Sequence, residues 1–445
     1  MADPASTASA GGADTQLTAR FVTQLGEELR VPDAPVSLPA SLTRYGLSQI
    51  VNHLLSLDPP RPFDFLVDGE LVRTPLHQLL LSKAISAESV LTIEYLPAVV
   101  PPTSKQQCPH DDWVTAVAGT ADGEAVTGSG DGLLRRWALG GADGEPSCSG
   151  ALLAHPGGVT SLASASTAAS GQLLYSAGKD RVLRLWRPAD GGFGQPVATF
   201  KGHMDAVQCV AAAPGAQQLA SCGWDGVVRL WRGADVVVAA SDDAGPVKSA
   251  KKGGKRRRGA AGEGAEAPAD GATEESWGSL EGHSQCATAV HWLDATHLVS
   301  GSWDHSVRVW DSATCGAVST LHAPKAVHSV AALSEGAVVF GSSDSVLRVW
   351  DPRGRGESLN LRGFASHSGW ITALAGSKTS PHHFMSTSFD ATVKLWDLRA
   401  SVPLATITRH SDKVICGAWL DGDRAASGGA DCSLHVHNVS VTAGA

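Results

Sequence analysis

Histidine, serine, aspartate and tryptophan recur in this chain in one order and at nearly constant distances. His203, Ser221, Asp225 and Trp231 form one set; His283, Ser300, Asp304 and Trp310 form a second; His367, Ser386, Asp390 and Trp396 form a third. A histidine bonded to an aspartate, with a hydroxyl beside it, is the arrangement that activates a serine nucleophile. An active site is normally built once, however, and this set is repeated. Repetition points to structure rather than to hydrolysis. No GxxxxGK[ST], HExxH or GxSxG pattern supplies another catalytic centre. His382-His383 reads as a loop pair with too few further ligands for a metal, and the Gly-Asp-Gly of 130–132 reads as a turn.

The elements that position these residues show best in 298–311, LVSGSWDHSVRVWD. A strand of small residues runs into a tight turn at Asp304, and a second strand alternates with period two up to Trp310. Both partners of that alternation are large, which suits a sheet packed between two others. An Asp stands six positions before a strand-ending residue seven times: Asp131/Trp137, Asp180/Trp186, Asp225/Trp231, Asp304/Trp310, Asp344/Trp350, Asp390/Trp396 and Asp431/His437. A basic or imidazole side chain lies two before each end, from Arg135 to His435, and a histidine lies upstream of each Asp, from His110 to His410. A repeat of roughly 40–45 residues with Gly-His and Trp-Asp signals is a propeller signature, and the chain resembles the WD-repeat family. In that family the recurring set is a buried network: histidine to aspartate, then to Ser/Thr and the tryptophan nitrogen. Each buried partner left unsatisfied costs about 1–3 kcal/mol, so the network should be nearly complete. Two repeats depart from it. Phe340 replaces the hydroxyl in the fifth, and His437 replaces the tryptophan in the seventh.

The expected fold is an all-β, seven-bladed WD40 propeller preceded by an α+β ubiquitin-like (β-grasp) domain. Residues 1–14 are small and polar, without a basic start or an apolar run, and read as a disordered tail of an intracellular protein. Residues 15–97 hold no copy of the repeat. Alternation marks a strand at 16–22, 36–38 is a candidate second, 63–67 and 70–72 read as a hairpin because Asp68-Gly69 favours the tight turn, and 90–96 reads as the last strand. Leu47, Ile50, Val51, Leu54 and Leu55 fall at helical spacing from about Thr43. Thr74-Pro75 reads as the cap and first residue of a short helix carrying Leu76, Leu79 and Leu80. Residues 98–109 are a Pro-rich linker, and the propeller occupies 110–445. Only eight residues follow His437, too few for a fourth strand, so the outer strand of the last blade is expected from 98–108. Trp231 and Trp310 stand 79 residues apart, and the excess at 233–275 reads as a disordered insertion between the third and fourth strands of one blade.

Composition limits the function. The net charge of -9 argues against a general nucleic-acid coat, and no apolar run approaches the ~18 residues of a membrane span. The eight cysteines are scattered with no CxxC pair, which suggests neither a zinc site nor a disulfide framework. No cofactor is expected. The insertion carries a basic tract with Lys251, Lys252, Lys255, Arg256, Arg257 and Arg258, then an acidic run. Such a tract in a flexible loop reads first as a nuclear-import signal, second as a contact with RNA, and otherwise as a solvated charge run.

The stretches SLTRYGLSQIVNHLLSL (41–57), PFDFLVDGELVRTPL (62–76) and SAESVLTIEYLPAVVPP (86–102) resemble the Notchless-like domain that precedes WD repeats in two kinds of ribosome-assembly factor. Seven repeats, and the His-Asp-Asp-Trp-Val that opens the first of them, resemble the Ytm type. That resemblance implies a non-catalytic assembly factor for the large (60S) subunit, acting in the nucleolus and nucleoplasm on pre-rRNA maturation. Its implied partners are the block-of-proliferation protein through the propeller, pescadillo, the pre-60S particle and the AAA ATPase midasin, and the RNA that the basic tract could contact would be ribosomal RNA (rRNA). It further implies that Glu88 in the SAES turn is a ligand, in trans, to a magnesium ion held by midasin, where an anonymous turn carboxylate would simply be solvated. A Notchless-type factor would need an eighth repeat, which is not found. A ubiquitin-system WD40 adaptor would share the two folds, but no Gly-Gly tail ends the first domain and no ligase-docking element is apparent.

Overall fold

The computed structural model describes residues 16–83, 90–99, 102–140, 146–167, 171–189, 192–233, 272–333, 336–354 and 362–439. Glu88, the basic tract 251–258 and the tail 1–14 lie outside them. No helix among the described residues is long and apolar enough to cross a membrane.

The N-terminal unit folds around one mixed sheet. Strands β1 (Gln16–Val22), β2 (Val36–Pro39), β3 (Phe63–Val67), β4 (Glu70–Leu71) and β5 (Leu91–Pro97) take the order β2-β1-β5-β3-β4, and β1 runs parallel to β5. This is the β-grasp order. The burial of β1 alternates along its whole length, so Leu17, Ala19 and Phe21 face the core. Helix α1 (Arg44–Leu55) covers the sheet through Leu47 and Val51, with Ile50 and Leu55 partly buried beside them. Leu54, at the margin of the apolar stripe, is exposed instead. The turn between β3 and β4 places Asp68 at φ 52° and Gly69 at φ 75°. Two positive φ values define the tight hairpin turn that an Asp-Gly pair favours. Helix α2 (Leu76–Ser82) buries Leu76, Leu79 and Leu80. Pro75 is its N-cap rather than its first residue, because its ψ of 146° is extended. Strand β5 also continues through Pro97, which pairs with Phe63 at the end of the ladder. Tyr95 ties this unit together: its hydroxyl donates to the Leu29 carbonyl at 2.6 Å and accepts the Val31 N–H at 2.8 Å.

Among the described residues the second unit is made of seven sheets, six antiparallel with four strands and one with a fifth, parallel strand. Their first strands are Val114–Gly119, Val159–Thr167, Val207–Ala212, Ala287–Trp292, Val327–Ala332, Ile371–Gly376 and Val414–Trp419. Each lies beside the first strand of the next sheet, and Val414–Trp419 lies beside Val114–Gly119. Cys416 Sγ is 3.5 Å from the Val114 carbonyl across that last junction. The seventh sheet has the order Val414–Trp419, Arg424–Gly429, Ser433–Asn438, β6 (Thr103–Pro109). Its outer strand therefore comes from the start of the unit, with Leu434 opposite Cys108 and Val436 opposite Gln106. Large side chains fill the space between sheets, and Trp186, Trp231, Trp310, Trp396, Phe340 and Phe364 are all fully buried.

Part of 233–275 departs from the reading as a disordered insertion. Gly233 is buried, and its N–H donates to the Gln217 carbonyl at 2.8 Å. Ala272–Glu274 forms a strand parallel to Gly192–Lys201, which makes the second sheet five-stranded. Gly278–Leu280 then returns to the third sheet as its fourth strand. His383 opens the strand His383–Ser388 rather than lying in a loop.

Candidate functional site

The repeated polar sets are joined as continuous hydrogen-bond chains. In the fourth sheet, His283 Nδ1 lies 2.9 Å from Asp304 and Nε2 lies 2.7 Å from Ser300 Oγ, while Trp310 Nε1 donates to the same Oγ at 2.8 Å. The carboxylate requires a proton on Nδ1, so Nε2 accepts the serine proton and the serine oxygen accepts the indole N–H. The third sheet repeats this with His203, Asp225, Ser221 and Trp231 at 2.8, 2.7 and 2.8 Å. The second repeats it with His155, Asp180, Ser176 and Trp186. In the sixth, His367 lies 2.8 Å from Asp390 and 2.7 Å from Ser386, and Trp396 is fully buried.

The order of bonds matches that of a serine hydrolase, but the serines cannot act as nucleophiles. Ser176, Ser221, Ser300, Ser386 and Ser427 are all 0 % exposed, so no substrate carbonyl reaches the oxygen. Electrostatics fit a structural role. Burial alone would raise the Asp304 carboxyl, but hydrogen bonds from Ser306, His283 and Ser284 outweigh it and hold the group at about 2. Burial also lowers His283, against the pull of Asp304.

Three sheets differ. In the first, His110 Nε2 meets Thr127 at 2.7 Å and Trp137 donates to Thr127 at 3.0 Å, but Nδ1 meets the Cys108 carbonyl at 3.0 Å instead of Asp131. Arg135 has taken Asp131, and it reaches Asp111 as well, at 2.8 and 2.7 Å. The sequence pattern did not reveal that exchange. In the fifth, Phe340 is fully buried, His322 is exposed, and Asp344 turns to Arg348 at 2.6 Å. In the seventh, His437 stands in for the indole: its Nε2 lies 2.7 Å from Ser427 Oγ, which also meets His410 Nε2 at 2.8 Å. Burial pushes His437 down to about 3 and His435 down to about 4. His410, Asp431 and His435 place donor atoms within 4.8 Å of one another, the spacing of a loose metal cluster. His410 Nδ1 is already bonded to Asp431 at 2.9 Å, so this set is accounted for by the network.

A second constellation went unread in the sequence. At the end of the propeller that carries the Asp turns, aromatic rings from four consecutive sheets form a row. The Trp224 and Trp303 ring centres are 5.1 Å apart, and those of Trp303 and His328 are 6.2 Å apart. His328 stacks on Trp370 at 5.1 Å, and Trp370 stacks on Phe389 at 5.7 Å. Lys413 Nζ, from the seventh sheet, sits 5.2 Å from the Phe389 ring centre. The available signal was local: an aromatic residue directly precedes the turn aspartate in Trp224-Asp225, Trp303-Asp304 and Phe389-Asp390.

In the N-terminal unit, the strand that follows 84–89 in the chain borders a concavity lined by Val22, Asp68, Gly69, Val90, Thr92 and Glu94. Leu81 and Val90, on either side of that segment, are exposed.

Comparison with known proteins places the chain. Residues 17–80 match the family model described as NLE (NUC135) domain. Residues 146–187, 194–232, 274–311, 315–351 and 359–397 match the WD domain, G-beta repeat. The ribosome biogenesis protein WDR12 homolog of Chlamydomonas reinhardtii is 44% identical over 95% of this chain and 98% of its own length. The homolog of Oryza sativa subsp. japonica is 40% identical over 96% of this chain and 98% of its own. The ribosome biogenesis protein YTM1 of Kluyveromyces lactis is 33% identical over 95% of this chain and 97% of its own. Full-length identity of this order, together with a β-grasp unit ahead of seven WD sheets, makes the chain a member of the WDR12/YTM1 family of ribosome biogenesis proteins.

Proposed function

We propose that the protein is a non-catalytic scaffold for assembly of the large ribosomal subunit in the nucleolus and nucleoplasm. In this reading the propeller binds the block-of-proliferation protein, which carries pescadillo, and the trimer joins the pre-60S particle during pre-rRNA maturation. The N-terminal unit is then gripped by midasin, whose magnesium ion takes the Glu88 carboxylate as a ligand, and the trimer is pulled off. The observation that carries the reading is full-length identity, through both folds, to relatives named for ribosome biogenesis. The buried serines of the repeated sets support the absence of catalysis by those sets. Exposed Leu81 and Val90 beside 84–89 support a docking role for that end of the β-grasp sheet. The basic tract 251–258 is assigned to nuclear import.

Affinity purification of the full chain, with mass spectrometry of what accompanies it, tests the reading. Block-of-proliferation protein, pescadillo and large-subunit proteins should be enriched together. Enrichment of ubiquitin-ligase subunits in their place would overturn it.

A further inference from the structure

We propose that the aromatic row is a docking site for an extended peptide bearing arginine or lysine, with one cation seated over Trp224 and Trp303. This goes beyond the assembly role and does not depend on it. The rings are available: Trp224 is 49% exposed, Trp370 48% and Phe389 39%, and Met204, whose N–H donates to Asp225, is 76% exposed. A contiguous apolar patch left in water on a folded protein marks an interaction site more often than chance. Ring centres spaced 5.1–6.2 Å apart are close to the ~6.6 Å that separates alternate side chains of an extended chain. A strand-like peptide can therefore set successive side chains on successive rings.

Charge selects the occupant. The row already holds one cation of its own, Lys413 over Phe389, which shows that the ring faces are open to a positive group. At the other end the flanking loops carry two exposed carboxylates. The Trp224 backbone N–H donates to the Ala206 carbonyl at 3.0 Å, one residue from exposed Asp205, while the indole N–H donates to Gln208 Oε1 at 3.2 Å. Exposed Glu281 precedes the loop whose His283 and Gln285 carbonyls face Gly226. Arg181 is also near, with its guanidinium directed to the Met204 carbonyl at 3.4 Å. A guanidinium over an indole face with a carboxylate at its edge gains both cation–π and charge-assisted attraction. Burial lowers His328, so the ring in the middle of the row stays neutral and does not repel a cation. RNA bases could stack on the same rings, but a nucleic-acid groove needs cations along its length. Here the cations Arg181, Lys325 and Lys413 are interspersed with the exposed carboxylates Asp205, Glu281 and Asp412, so no unbroken basic track follows the rings.

The probe is a fluorescein-labelled dodecapeptide of alternating arginine and leucine. Its binding to the full chain is followed by fluorescence anisotropy near physiological salt. A glutamate/leucine dodecapeptide and a twelve-nucleotide oligouridine serve as comparisons. Trp224→Ala and Trp370→Ala should each weaken binding by roughly tenfold, the loss of about one desolvated cation–π or stacking contact. Asp205→Asn with Glu281→Gln should weaken it several-fold. Trp277→Ala removes an exposed indole at the opposite end of the third sheet and should change nothing. All these side chains are exposed, so melting temperatures should hold, and circular dichroism checks this. The proposal is overturned if the basic peptide fails to bind, if it binds Trp224→Ala as well as wild type, or if Trp277→Ala weakens it equally. Tighter, row-dependent binding of oligouridine or of the acidic peptide overturns it as well.

Discussion

Ser300 and Phe340 occupy the same place in neighbouring sheets, and each is right only for its own surroundings. Ser300 Oγ is held by His283 and Trp310. Ser300→Ala leaves two buried groups unsatisfied and should cost about 2–4 kcal/mol. Phe340 is fully buried with no imidazole to answer a hydroxyl, because His322 is exposed. Phe340→Ser should therefore be as damaging, about 3–5 kcal/mol, through the cavity it opens. Urea denaturation of both variants measures the two costs, and a stabilised Phe340→Ser would show that a serine network can form there. The imidazoles add a pH dependence. His437 at about 3, with His110 and His435 at about 4, binds fewer protons folded than unfolded. Since an unfolded histidine titrates near pH ~6.5, their contribution is intact above that pH and is lost as pH falls toward 4. The melting temperature should drop across that interval. His437→Gln, which keeps an N–H donor for Ser427 but cannot titrate, should make the drop shallower.

At the scale of elements, the seventh sheet depends on β6. With Leu434 opposite Cys108 and Ser433 opposite Pro109, the strand that completes the sheet is remote in sequence from its neighbour. Loss of residues 1–102 should leave a propeller that unfolds cooperatively. Loss of residues 1–109 exposes the edge of Ser433–Asn438 and should give a sheet that aggregates or melts over a broad range. Circular dichroism melts and gel filtration of the two truncations separate these outcomes. Which elements were legible in the sequence follows from how local their causes are. Strand β1 shows in the alternation of seven residues, and the β3–β4 turn shows in Asp68-Gly69, because those signals sit within the element itself. The strand Ala272–Glu274 was not legible: three residues carry no period, and its partner is Gly192–Lys201, about seventy residues away. The same limit applies to the polar sets. Their members were read from spacing, but His110 loses Asp131 to Arg135, a competition decided by side-chain reach that spacing does not encode. The aromatic row arises only where neighbouring sheets bring Trp224, Trp303 and Trp370 alongside one another.

At the scale of the whole molecule, the proposed function separates three tasks along the chain, and each can be removed alone. The basic tract is assigned to nuclear entry. Neutralising Lys251, Lys252, Lys255, Arg256, Arg257 and Arg258 should move a fluorescent fusion toward the cytoplasm with little change in melting temperature. Unaltered nuclear accumulation counts against the import role. Glu88 is assigned to release. If it completes a magnesium site on midasin, both its charge and its reach matter, because Mg²⁺ demands hard oxygen ligands at short, nearly fixed distances. Glu88→Ala removes the donors, Glu88→Gln replaces a charged oxygen with a neutral amide, and Glu88→Asp shortens the arm by one methylene. All three should weaken capture by midasin's metal-site domain, with aspartate the mildest. Binding to the block-of-proliferation protein, assigned to the propeller, should not change. Stability should change by no more than about 0.5 kcal/mol, as for most surface substitutions. In cells, Glu88→Ala should enter pre-60S particles and remain on them, a dominant block of release. A pull-down of midasin's metal-site domain, with magnesium or with chelator, reads the first step directly. Equal, chelator-insensitive capture of wild type and Glu88→Ala would return Glu88 to the role of a solvated turn carboxylate, and the grip of midasin would then have to be sought elsewhere on the β-grasp surface.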